Sequence, residues 1–301
     1  MQNKKPDNLN IVCFGEVLFD IFPNHTKIGG APLNVALRLA SLGINTSIIS
    51  KIGDDNLGKE MLDFISESDV NTDLIQVDET LSTGEVFVKL DEKGSASYTI
   101  NYPAAWDKIT FEDNCVEAVK NSDAFIFGTL ACRDEVSFSA LKQLLPFSKH
   151  KILDVNLRKP HYTFELLHYL MNEADLLKFN DEELFEIADH FNSPFHNLEQ
   201  NILFISEKTN TKNICVTKGN HGAVLLNNGK FYYNSGFRVK VVDTVGSGDS
   251  FLAGLISQLT KGEDPQKAID FACALGALVT QTEGANSKIS HSELEKFINP
   301  L

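Results

Sequence analysis

The sequence is short of positive charge, of tryptophan and of paired cysteines, and it has no long apolar run. Its 301 residues include 27 Lys or Arg against 41 Asp or Glu, a formal net charge of −14. Nucleic acids and anionic membrane surfaces are bound through basic patches, so this balance argues against both as main partners. A phosphorylated small molecule stays compatible, because backbone N–H groups and a metal can hold phosphates on an acidic protein. The five cysteines, Cys13, Cys115, Cys132, Cys215 and Cys273, form no Cys-x-x-Cys pair and are odd in number. Cys215 stands between Ile214 and Val216, inside an apolar run. They read as buried free thiols, a usage suited to a reducing compartment. No stretch reaches the ~18 apolar residues of a membrane helix, and the opening MQNKKPDNLN is polar, unlike a secretory signal. The expected location is the cytoplasm. Internal repeats and low-complexity tracts are absent too.

What the chain does have is alternation. Strand-length apolar runs are expected at Ile11–Phe14, Thr46–Ile52, Ala124–Phe127, Ile152–Val155, Leu176–Phe179 and Ile214–Thr217. Helical patterns lie between most of them. Pro32–Leu42 carries Pro32 in its first turn, Val35, Leu39 and Leu42 on one face, and Gly43 at its end. Leu57–Ile65 repeats the helical spacing with Leu57, Met61, Leu62 and Ile65. Such alternation predicts an α/β fold, a mostly parallel sheet covered by helices on both faces. One segment breaks the rhythm. Glu85–Leu90 and Ser97–Tyr102 flank Asp91-Glu92-Lys93-Gly94, a hairpin signal. With residues 16–30 it is expected to form a small β-lid, from about 16–30 and 82–106, within a single domain over 1–301. A second hairpin at Asn227-Asn228-Gly229 reads as structural.

The most informative stretch runs from Asp243 to Gly254: Asp-Thr-Val-Gly-Ser-Gly-Asp-Ser-Phe-Leu-Ala-Gly. It follows Val239–Val242, an apolar pattern read as a strand, and opens a helix to about Thr260. The small residues Gly246, Ser247 and Gly248 let backbone N–H groups converge at a helix N-terminus, where the dipole is positive. That is an anion site, and the same terminus eases ionisation of Asp249. A carboxylate beside an anion cradle makes sense when a hydroxyl substrate lies between them. Asp249 then takes the hydroxyl's proton, and the 246–248 amides stabilise a phosphoryl group in transfer. No Gly-Lys-Ser/Thr follows, so this is no Walker loop, and it stands too late in the chain for a dinucleotide-binding first turn. Without a ligand, it reads as a tight strand-to-helix turn.

At these residues the chain resembles the PfkB/ribokinase family of carbohydrate kinases. Asp243 to Ile256 fits the C-terminal signature, and Gly29-Gly30-Ala31-Pro32-Leu33-Asn34-Val35-Ala36 with Gly43 and Gly53 fits the N-terminal one. The resemblance covers Ile11 to about Ser290. It implies a ribokinase-like three-layer sandwich with a β-lid and MgATP at the C-terminal ends of the strands. It implies Asp249 as catalytic base, with Gly246, Ser247 and Gly248 as the anion hole. Asp20, Gly30 and Asn34 match sugar contacts. Asn180 and Glu183 match an Asn-x-x-Glu element serving nucleotide and metal, with Glu183 on the Mg2+ side. Thr217, Gly219 and Gly222 match a nucleotide-binding turn. Gly284-Ala285 and Ser287 match the segment near the adenine and a monovalent cation, K+. Cys273 stands where relatives often carry Asn.

Within the family the chain is most similar to fructokinases, through Gly15–Pro23, Gly29–Ala36, Tyr102-Pro103-Ala104-Ala105-Trp106-Asp107 and Asp154-Val155-Asn156-Leu157-Arg158. Arg158 is a candidate substrate contact, with a structural ion pair as the plainer alternative. Trp106, the sole tryptophan, suits either a sugar face or the core. Only eight residues separate Asp20 from Gly29, which shortens a wall of the pocket. The expected acceptor is a free ketohexose such as fructose. A 2-keto-3-deoxy sugar acid, ribose or a sugar-binding regulator are the alternatives, and a homodimer through the lid edge is the expected assembly. A nucleotide-binding oxidoreductase would need a glycine-rich turn after the first strand, and Gly15-Glu16-Val17 is no such loop.

Overall fold

The computed structural model describes residues 9–90 and 96–299. The expected turn Asp91-Glu92-Lys93-Gly94 therefore lies outside the described residues. The chain starts with β1 (Asn10–Phe14), β2 (Leu18–Ile21), β3 (Thr26–Gly29) and α1 (Ala31–Ser41), then β4 (Asn45–Gly53) and α2 (Asn56–Ser66). Two short strands, β5 (Val70–Asn71) and β6 (Ile75–Asp78), precede β7 (Gly84–Leu90) and β8 (Ala96–Ile100). From there helices and strands alternate: α3 (Asp113–Asn121), β9 (Ala124–Gly128), α4 (Glu135–Leu144), β10 (Lys151–Asp154), α5 (Phe164–Glu173) and β11 (Leu176–Asn180). The chain continues with α6 (Asp181–His190), α7 (Leu198–Thr209), β12 (Asn213–Thr217), β13 (Ala223–Asn227) and β14 (Lys230–Asn234). It ends on α8 (Ser247–Lys261), α9 (Pro265–Val279) and α10 (His291–Ile298).

The main sheet runs β14-β13-β12-β11-β10-β9-β1-β4-β5, with β6 also paired to β4. Its pairs are parallel from β5 to β12, and β13 and β14 add an antiparallel edge. The central strand β1 shows why both faces are covered. Ile11 and Cys13 join one core with α1, α2 and α8, while Val12 and Phe14 join the other with α3 to α7. A strand apolar at every position cannot leave either face in water. The antiparallel edge β13 is roofed by α8 and α9 through Leu225, Phe251, Leu255 and Ile269. The result is a three-layer sandwich.

A second, four-stranded sheet has the order β3-β2-β7-β8. β2 pairs antiparallel with β3 and parallel with β7, so residues 18–29 and 84–100 meet despite their distance in sequence. Asp55 anchors the root of this sheet. It caps α2 through Gly58 N at 2.7 Å and also takes Thr83 N and Thr83 Oγ1, each at 2.8 Å. Trp106 settles into the core rather than onto a sugar face: it is 0% exposed, with the Arg133 guanidinium 4.1 Å from its ring centroid. All five cysteines are buried and free. The expected strand Val239–Val242 is not one. Residues 235–242 form no strand, and Val241 and Val242 are 54% and 55% exposed. The next element begins only at α8, so the anion turn is fed by a loop. Apolar alternation alone did not reveal that these valines lack a sheet partner.

Candidate active site

Five parallel strands, β4, β1, β9, β10 and β11, end on the same side of the sheet, and the predicted site residues collect there. α1 starts at Gly30, whose φ of 111° is open to glycine and costly to other residues. A Cβ at Gly30 would also stand 2.4 Å from the carbonyl of Glu16. That close crossing sets the first turn of α1 beside the end of β1. One turn in, Asn34 is 7% exposed and donates from Nδ2 to Asp249 Oδ2 at 2.8 Å. Residues 215 positions apart in the chain thus meet at one bond.

Asp249 lies in the first turn of α8, as predicted, and the turn before it is enforced by glycine. Gly246 adopts φ 72°, and a Cβ there would come 2.2 Å from Ala285 Cβ. The amide of Ser247 is partly engaged, reaching Thr244 O at 3.3 Å, and its Oγ donates to the same carbonyl at 2.9 Å. The amides of Gly246, Gly248 and Asp249 meet no acceptor among the described residues. An anion at this turn would therefore meet the amides of Gly246, Gly248 and Asp249 before that of Ser247. Burial outweighs the helix dipole at Asp249. Its pKa is raised to about 6, first by desolvation and then by the carboxylate of Asp154, against lowering by Asn34, Lys178 and Arg158.

Asp20 sits on β2, opposite Lys27 in the β2–β3 register. Gly29 has no Cβ where one would press Asp20 Oδ2 to 2.8 Å. Burial raises the Asp20 pKa to about 6, opposed by Arg158 and Lys27. Arg158 is exposed, and its Nη1 donates to the carbonyl of Leu157 at 3.0 Å. No ion pair of Arg158 is found among the described residues. Its charge opposes the rise that burial gives the pKa of three carboxyls, Glu16, Asp20 and Asp249.

The Asn-x-x-Glu element is tied up within the protein. Asn180 caps α6: its Oδ1 accepts from Glu183 N at 2.8 Å, while Glu183 Oε2 accepts from Asn180 N at 2.8 Å. Glu183 Oε1 takes Leu157 N, also at 2.8 Å, so this carboxyl fixes the loop that carries Arg158. Thr217, Gly219 and Gly222 form the turn from β12 to β13. Gly222 needs its φ of 78°, because a Cβ would stand 2.0 Å from Asn234 O. Among the described residues no group of three or more His, Cys, Asp or Glu could hold a metal ion. A lone carboxylate acting through water suits Mg2+, which keeps most of its waters and arrives with phosphates.

The sequence reading missed four residues. Arg38, 3% exposed, donates to Ser250 Oγ at 3.0 Å, Ser287 O at 2.9 Å and Ala285 O at 3.1 Å. It thus pins the Gly284–Ser287 segment to α1 and α8, with no carboxylate partner among the described residues. Glu16, 4% exposed, leaves Oε2 without a partner, and burial raises its pKa to about 7. Lys178 and Asp154 form a buried pair at 3.0 Å. Glu16 and Asp154 both line one small crevice with Ala31, Gly128, Thr129 and Asn156. The clearest signal was Lys178, a charge between Leu177 and Phe179 in a run otherwise apolar.

Comparison with known proteins gives this arrangement its class. The profile described as "pfkB family carbohydrate kinase" matches residues 8–292. The chain is 27% identical over 300 residues to the fructokinase of Solanum tuberosum, covering 91% of each. It superposes with a TM-score of 0.82 on an uncharacterized sugar kinase from Pyrococcus horikoshii in complex with ATP, at 28% identity over 95% of this chain and 97% of that one. A fructokinase from Vibrio cholerae O395, bound to fructose, ADP and calcium ion, shares the fold with a TM-score of 0.82 at 24% identity, covering 97% and 100%. The chain belongs to the pfkB family of carbohydrate kinases. Its fold is that of the ribokinase-type sugar kinases, and its relatives include fructokinases at moderate identity.

Proposed function

We propose that the protein transfers the γ-phosphoryl group of ATP to a hydroxyl of a free ketohexose such as fructose. The observation that carries this reading is Asp249, half-buried and oriented by Asn34 beside amides with no acceptor among the described residues. The acceptor oxygen attacks the γ-phosphorus, an O–P bond forms, and the bond to the β,γ-bridging oxygen breaks. ADP departs with that electron pair, and the acceptor's proton passes to Asp249 Oδ. The amides of Gly246, Gly248 and Asp249 meet charge developing on the transferred oxygens. Thr217, Gly219 and Gly222 line the nucleotide side. Asp20, Gly30, Asn34 and Arg158 orient the acceptor. Glu183, through water, is the residue that would hold Mg2+, which supplies charge neutralisation of the phosphates when bound.

The charge inventory favours a neutral acceptor over a sugar acid. Glu16, Asp20 and Asp249 face Arg158 and Lys27, and Lys178 is already matched by Asp154. The second sheet acts as the lid over the acceptor. Lys27 on β3 reaches Asp243 Oδ2 at 3.6 Å, and Asp243 itself accepts from Gly284 N, so the lid touches the segment matched to the monovalent cation. Activity that depends on K+ is part of the proposal, as are a cytoplasmic location and a homodimer through the outer strands β3 and β8. ADP release across free ketoses, aldoses, sugar acids and nucleosides tests the reading. Fructose is expected to give the highest rate, and no release with any acceptor overturns the kinase activity itself.

A further inference from the structure

The fold puts a buried cation where the strand pattern asks for an aliphatic side chain. Lys178 stands in β11 between Leu177 and Phe179, 6% exposed, and opposite Asp154 in the parallel register of β10 and β11. Its Nζ donates to Asp154 Oδ1 at 3.0 Å and has no second partner among the described residues. An ammonium carries three donors, so two remain unused. Asp154 is half-used too, with Oδ2 buried and unpartnered. A Cβ on Gly248 would lie 3.5 Å from Nζ, which sets the ammonium directly behind the anion turn.

A scaffold role explains this poorly. A buried ion pair is seldom more stabilising than two apolar side chains of similar volume. A pair kept for anchoring would also have its remaining donors and acceptors filled. The ammonium lies close to Gly248 and within the field of Asp249, beside the amides that have no acceptor among the described residues.

We propose that Lys178, held in place by Asp154, is a further residue of the phosphoryl-transfer site, donating to the phosphoryl group as it moves and keeping the base ionised. The proposal rests on the kinase reading above. Lys178 stays protonated throughout, and the acceptor's proton still goes to Asp249. Its surroundings support a permanent charge. Burial pulls its pKa down, but Asp154 on β10, Glu183 on α6 and Asp249 on α8 together leave it above the ordinary lysine value. Around Asp249 the charged groups are Asp154, which opposes ionisation, Lys178 and Arg158, which favour it, and Glu16 at the end of β1.

The test uses K178M and the double variant K178M/D154L, which replaces the whole pair by apolar side chains. Turnover is measured with MgATP and whichever free ketose, aldose, sugar acid or nucleoside gives the highest wild-type rate. Both variants are expected to lose about 10²–10³-fold in kcat, as for removal of one preorganised donor, with KM for the acceptor unchanged. In the ligand-free protein, carboxyl 13C NMR reads Asp249 directly, its signal identified by its loss in D249N. Asp249 is expected to titrate at higher pH in K178M than in the wild type. A folded K178M/D154L with near wild-type kcat overturns the proposal, and so does an Asp249 titration that K178M leaves in place. If the wild type is inert with every acceptor, the kinase reading fails first, and the phosphoryl role of Lys178 fails with it.

Discussion

The two ends of the site are built on opposite plans. At the Asp249 end, polar groups are left unspent among the described residues: three amides without acceptors, and unpartnered oxygens on Asn34, Glu16 and Asp154. At the Asn180–Glu183 end, both carboxyl oxygens and the amide oxygen are taken by backbone N–H groups. Buried polar groups are normally satisfied, so unfilled capacity gathered at one place is room for a ligand. This contrast supports the proposed placing of the reaction at Asp249 and its neighbours, while the backbone bonds of Asn180 and Glu183 hold the 157–158 loop and the start of α6.

The largest expected effect comes from D249N. Removing the base is expected to cut kcat by about 10³-fold or more, within the range for general-base groups and their partners, while thermal unfolding shows no loss of stability. A variant turning over at a near wild-type rate would erase the contrast between the two ends. Next comes G246A. A residue with a Cβ is strained at φ 72° and meets Ala285, so about 1–3 kcal/mol of stability should be lost. Denaturant unfolding measures that loss, and kcat should fall with it because the amides turn away.

The pH profile gives a sharper, smaller effect. With the Asp249 pKa raised to about 6, kcat should decline as pH falls through that value. The stability consequence has the opposite sense. Folding favours the protonated carboxyl, so its contribution is fully present below the ordinary aspartate pKa and is lost as pH rises through about 6. The difference in unfolding free energy between wild type and D249N should therefore shrink or reverse over that interval, read by thermal unfolding at a series of pH values. The smallest effect is expected from N180A, which removes one cap: about 1 kcal/mol of stability, with a modest rise in KM for ATP and little change in kcat. A collapse of kcat equal to that of D249N would show that the filled end is chemical after all.

Much of this was legible in the chain. The strand-helix alternation from Ala124 to Thr217 reads directly as a parallel sheet, because strands covered on both faces carry unbroken apolar runs. The turn at 246–249 is legible because backbone conformation there admits so few residue types. Val239–Val242 misled, since an apolar alternation does not reveal whether a partner strand is present. Lys178, Asp154, Arg38 and Glu16 were given no role for a related reason, though Asp154 and Glu16 fall within the segments that carry the resemblance. Each looks like an ordinary charge in sequence, and only its position on a buried face makes it unusual.

What the chain determines alone is local: where glycine permits a left-handed turn, where proline opens a helix, which runs are apolar enough to be strands. What only the tertiary structure decided is which charges share a buried space. The bond from Asn34 to Asp249 and the pair of Lys178 with Asp154 join distant segments. Their energies depend on distance and on the exclusion of water, and neither is written in the order of residues.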